Sequence, residues 1–125
     1  MKIEVSIGEL VDKVSILEIK QENITNPAKL VNVNKEYALL VSDMQSLGIT
    51  PLADEYQRLK AVNQRLWNIE DNIRILESKQ DFGADFIALA RNVYFENDTR
   101  AEIKKEINLR YGSELIEEKE YVQYK

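Results

Sequence analysis

Apolar residues recur at three- and four-residue intervals in four stretches of this chain, the spacing that lines one side of a helix. In the first stretch Ile7, Leu10, Val11, Val14, Leu17 and Ile24 form one stripe, while Ile16 and Ile19 point well away from it. A helix apolar on two sides needs cover on both, so this first helix, over about 7–24, is expected to be central. Ser6 and Glu9 precede the stripe as an S-x-x-E capping box, offering a hydroxyl and a carboxylate to the free amide donors of a helix start.

The second stretch carries Leu30, Val33, Tyr37, Leu40, Met44 and Leu47, and the third Leu59, Val62, Leu66, Ile69, Ile73 and Leu76, both in alternating steps of three and four. Asn26-Pro27 and Thr50-Pro51 each set a capping side chain before a proline, whose missing amide costs nothing at the first helical position. Gly48 closes the second helix, so helices are predicted over 28–47 and 51–79. Two such seams joined by a short turn read as an antiparallel hairpin, heptad-like but too brief for a long coiled coil.

Asp81-Phe82-Gly83 breaks the pattern, and a fourth helix over 84–111 carries Phe86, Leu89, Ala90 and Val93. Asn97-Asp98-Thr99, a cluster of capping residues inside it, marks a kink or a restart. Gly112 ends the helix and leaves an acidic tail over 113–125, in which Leu115, Ile116, Tyr121, Val122 and Tyr124 are available to dock. Met1–Val5 alternates enough to be a short extended arm, with which Tyr121–Tyr124 can pair. The expectation is an all-α fold: one domain over 1–125, an antiparallel bundle of four main helices.

Composition narrows the function classes. Seventeen basic against twenty-two acidic residues leave a net charge of −5, which speaks against nucleic-acid partners. The chain has no cysteine and no histidine, which removes disulfides, thiolate metal sites, the commonest general base and imidazole ligands. No cofactor or metal is therefore expected, and any metal chemistry would have to be carboxylate-based. No apolar stretch approaches the length of a membrane span, and no basic segment followed by an apolar run opens the chain, so the expectation is a cytoplasmic protein without membrane insertion.

Candidate chemistry lies where polar residues fall on faces that periodicity assigns to the core. Asn97, Arg100, Lys104 and Asn108 share the arc of Phe86, Leu89, Ala90, Val93, Ile103, Ile107 and Tyr111. Buried cations need partners, and the first helix offers Glu18, within its own apolar stripe and beside Gln21. Either Glu18 and Arg100 or Lys104 neutralise one another in a structural network, or they line a pocket for a small anionic ligand, Arg100 suiting bidentate contact and Lys104 acting as a point charge. On the third helix Tyr56, Asn63, Trp67, Glu70 and Arg74 share one flank. Glu70 and Arg74 stand at i,i+4 spacing for an ion pair with Trp67 at the bundle edge, or the flank is one wall of a cleft with an aromatic platform suited to a sugar or base. Glu9 and Asp12 make half of the carboxylate pattern with which all-helical nucleotide pyrophosphatases hold magnesium, and the E-E-x-x-E half is missing. No phosphate loop, nucleophile elbow or zinc-protease motif is present, so no catalytic residue is assigned.

The segments SIGELVDKVSILEIK, LWNIEDNIR, ARNVYFENDTRAEIKKEIN and GSELIEEKEY, in this order, resemble a family of small bacterial proteins classified only as a domain of unknown function, whose members open on a similar GEL(I/V)DK…ILEIK helix. The resemblance spans nearly the whole chain and implies an all-helical domain with no assigned activity, associated with surface-polysaccharide and glycosyltransferase functions. It carries no functional residues. Helical chorismate mutases are similar in their long first helix and interior charges, but the first helix here holds only Lys13 and Lys20 as cations. Two expectations result. One is a helical interaction or accessory module that self-associates as a homo-oligomer, because the seams supply more apolar surface than one short bundle covers. The other is a small binding protein or enzyme for a nucleotide sugar or sugar phosphate, held between the first, third and fourth helices by Glu18, Trp67, Arg74, Arg100 and Lys104.

Overall fold

A computed structural model describes residues 1–124, and Lys125, the end of the expected tail, lies outside the described residues. Among the described residues the chain forms four helices and no strand: α1 (Ile7–Asn23), α2 (Pro27–Ser46), α3 (Asp54–Ser78) and α4 (Ala84–Arg110). It is an all-α four-helix bundle.

Local chemistry sets the helix ends. The Ser6 hydroxyl accepts from the Glu9 amide (3.1 Å) and the Asn26 side chain from the Lys29 amide (3.1 Å), each satisfying a donor that the first turn leaves free. Ile49 takes the chain into the core (1 % exposed) before Thr50 and Pro51 turn it back, so α3 starts at Asp54 rather than at the proline. Gly48 supports that turn with a φ of +82°, a conformation that a side chain would strain. α4 runs uninterrupted through Asn97–Thr99. The Thr99 hydroxyl bonds back to the Phe95 carbonyl (3.3 Å) instead of capping a new helix start.

α1 is the one helix among those described that packs on all three others. Its beginning lies beside Lys104 and Asn108 of α4, its middle beside Asn63 of α3 and Arg100 of α4, and its end beside Tyr56 and Lys60 of α3. It thus crosses the proximal half of an α3–α4 hairpin that Arg58–Glu106 and Arg65–Glu96 ion pairs tie in antiparallel register. The hairpin partners are α1 with α2 and α3 with α4. The expected zipping of α2 against α3 does not occur, because α1 supplies the cover that each seam needs. Val11, Val14, Met44, Ile49, Tyr56, Leu59, Val62, Ile103 and Ile107 form the common core.

That core ends well short of the hairpin tip. Beyond Ile69 in α3 and before Ile103 in α4 no residue is buried, so half of the α3–α4 hairpin stands out as an arm. The tail folds back along α4 and does not pair with the N-terminal arm as a strand. Ser113 Oγ accepts from the Ile7 amide (3.0 Å), Glu117 meets Lys104, and the Tyr124 hydroxyl donates to Asp98 while its ring packs at 4.9 Å on Tyr94.

Candidate functional site

The densest polar chemistry lies where α1 meets α4, and a glycine allows that meeting. A Cβ on Gly8 would stand 2.5 Å from the Lys104 carbonyl oxygen and 2.9 Å from Asn108 Oδ1. With hydrogen there instead, the Gly8 amide, one of the free donors of the α1 start, donates to Asn108 Oδ1 at 2.6 Å.

One turn on, Asp12 is 1 % exposed. A carboxylate so placed is tolerable only if fully partnered, and it is. Oδ1 accepts from Asn63 Nδ2 (2.9 Å) and Arg100 Nε (2.9 Å), Oδ2 from Arg100 Nη2, and Lys104 Nζ stands 4.0 Å away. The buried Ser15 hydroxyl accepts from Asn63 Nδ2 (2.9 Å) and donates to the Asp12 carbonyl, which orients the amide. Hydrogen bonding to Asp12 raises the Arg100 pKa against the opposing effect of burial. Burial pulls the Lys104 ammonium down, but its hydrogen bonds to Glu9 (2.7 Å) and Glu117 (3.0 Å) outweigh that and leave its pKa raised.

Glu18 is not part of this network. Its partners are Lys60 (2.9 Å) and the Tyr56 hydroxyl, both on α3, and Lys60 also holds Glu22 at 2.8 Å. The side of α1 that carries Glu18 faces α3, so the expected pairing with Arg100 or Lys104 is replaced by one with Lys60. Burial, then donation to Glu18, pushes the Tyr56 hydroxyl pKa far up and keeps it a donor.

Beside the Asp12–Arg100 pair opens a cleft of about 380 Å³ between α1, α3 and α4. Ile16, Ile19, Leu66 and Val93 give it an apolar lining, and Asn63, Trp67, Glu70, Asp71, Asn97 and Arg100 its polar one. Of the residues singled out from the sequence, Asn63, Trp67, Glu70, Asn97 and Arg100 come together here. Arg74 points elsewhere on the exposed face of α3 and pairs with Glu70 at 2.9 Å. Lys104 and Asn108 serve the α1–α4 joint, and Glu18 the α1–α3 joint. The sequence pattern does not single out Asp71, and it marks Asp12 only as half of a metal motif. The signal for Asp12 is its spacing: Asp12, Ile16 and Ile19 stand at i, i+4 and i+7, which puts the carboxylate at the head of the second apolar side.

Residues 1–124 match the family of unknown function DUF6165. The chain belongs to that family. No curated protein and no solved structure matches it. The chemistry open to this DUF6165 chain is that of its own side chains. Among the described residues no group of three or more acidic side chains is placed to hold a metal ion. Glu9 and Asp12 spend their oxygens on Lys104 and Arg100 instead. None of the helices is long and apolar enough to cross a membrane.

Proposed function

We propose that this protein is a helical interaction module without catalytic activity, which self-associates through the projecting half of its α3–α4 hairpin. The observation that carries the reading is the mismatch between sequence and cover along that arm. The seam continues through Ile73 and Leu76 on α3 and Phe86, Leu89 and Val93 on α4, and none of these is buried. Ile75, Phe82 and Ile87 beside it are more than half exposed. Two helices alone leave such a seam half wet, and a second copy laid against it with two-fold symmetry makes a four-helix unit of the kind the seam spacing suits. The accessory role in surface-polysaccharide or glycosyltransferase pathways and the cytoplasmic setting belong to the same proposal.

The rival reading, an anionic ligand, finds less support. Arg100 and Lys104, its intended cations, already face three carboxylates, those of Glu9, Asp12 and Glu117. The test is mass in solution by light scattering and sedimentation across concentration. The chain of 14.5 kDa should run as a dimer or higher species, and Ile75→Glu with Ile87→Glu should return it to monomer with its helicity intact. A wild-type monomer at the highest attainable concentration refutes the proposal.

A further inference from the structure

We infer that the cleft between α1, α3 and α4 binds an uncharged, hydroxyl-rich ring, a monosaccharide or the end of a longer saccharide. The polar groups there that remain uncommitted select such a ligand. The charge of Arg100 is cancelled by buried Asp12 in a bidentate pair, and Glu70 is held by Arg74. The side chains of Trp67, Asp71 and Asn97 by contrast form no hydrogen bond or ion pair with any described residue, although all three line the same cleft.

Together they offer an indole N–H donor, an acceptor-only carboxylate, and an amide that both donates and accepts. That set matches hydroxyl groups, each of which also donates and accepts. The lone unmatched charge is negative, which repels phosphates and carboxylates and rewards a ligand that can donate. Ile16, Ile19, Leu66 and Val93 provide apolar surface for the C–H face of a ring, beside the half-buried indole of Trp67. At about 380 Å³ the cleft is at the small end of ligand sites, the size for one ring rather than a nucleotide sugar. For an open site and so small a ligand, the expected dissociation constant is on the order of millimolar.

Trp67 is the only tryptophan, so its emission reports on this cleft alone. The test is a fluorescence titration with glucose, galactose, mannose and N-acetylglucosamine, with sorbitol as an acyclic control and inorganic phosphate and choline as charged ones. At least one pyranose should give a saturable change at millimolar concentration that sorbitol and phosphate do not. Asn97→Ala and Asp71→Asn, which leave Trp67 in place and break no side-chain hydrogen bond or ion pair within the protein, should each weaken that binding at least tenfold with the melting temperature unchanged. Absence of a saturable response to every sugar overturns the inference, as does unchanged binding in both variants. Saturation by choline alone would assign the cleft to cations and overturn it as well. Val93 belongs both to the cleft and to the seam of the arm, so the titration is repeated on Ile75→Glu/Ile87→Glu, where the pyranose response should persist without self-association.

Discussion

Removing Arg100 should damage this protein more than removing the charge of its partner, and the asymmetry follows from burial. The Asp12 side chain is 1 % exposed and that of Arg100 29 %. Arg100→Ala leaves an ionised carboxylate enclosed with only Asn63 in hydrogen-bond range and Lys104 at 4.0 Å. Breaking a buried pair in this direction costs about 3–5 kcal/mol. The remaining partners, and the water that a truncated Arg100 admits, bring this to about 2–3 kcal/mol. Asp12→Asn instead keeps an acceptor for Asn63 and leaves a guanidinium that reaches solvent, for a loss of about 1 kcal/mol. Urea unfolding followed by helical circular dichroism reads both. The Arg100→Ala midpoint should fall by ~1–2 M, and Asp12→Asn by less than half of that. The double variant Asp12→Asn/Arg100→Met, with neither charge of the pair left, should recover most of the loss and give a clear coupling energy. Arg100→Ala within ~0.5 kcal/mol of the wild type, inside the range of ordinary surface substitutions, would refute the reasoning. So would a larger loss in Asp12→Asn than in Arg100→Ala.

Two further outcomes test the joints around the site. Gly8→Ala improves intrinsic helix propensity by ~1 kcal/mol, yet its Cβ would fall 2.5 Å from the Lys104 carbonyl. Overpacking against backbone costs about 1–3 kcal/mol, so thermal melting should show a net loss, and a stabilised variant would mean that α1 and α4 do not touch there. At the tail, hydrogen bonding to Asp98 pushes the Tyr124 hydroxyl up to about 12. A pKa raised in the folded state means that this contact contributes fully below the ordinary value near 10 and is lost as pH rises through about 12. Tyrosinate absorbance should therefore lose a hydroxyl that titrates near 12 in Tyr124→Phe while that of Tyr56 stays later still, and loss of a hydroxyl that titrates near the ordinary value would refute the contact.

Much of the architecture was legible because it is local. Seam spacing, the Ser6 and Asn26 caps and the prolines all act within a turn or two. They place four helices and mark α1 as the one needing cover on two sides. The pairing of helices was not legible: the like seams of α2 and α3 suggested a zipper, and only the three-dimensional position of α1 shows that it serves each of them. The restart expected at Asn97–Thr99 does not occur for a related reason, since Thr99 can satisfy itself on the preceding turn. At the site, periodicity found that Arg100 and Lys104 face inward but could not name their partners. Glu18, Asp12 and Glu9 all stand on α1, and the choice among them depends on its crossing position over α3 and α4, which helical spacing does not encode.

The bond from Gly8 to Asn108 spans 100 positions of sequence, and the Arg100 clasp on Asp12 spans 88. The α1 helix therefore emerges before the helix that completes its cover, and it must keep the Asp12 carboxylate without Arg100, and the side that meets α4 bare, until α4 has been synthesised. Translation cannot lock the fold in stages: an incomplete chain lacking the last helix should behave as a sticky, loosely collapsed species and a natural client for chaperones. Ribosome-stalled chains released a few residues before and after Asn108 would mark where protease resistance first sets in.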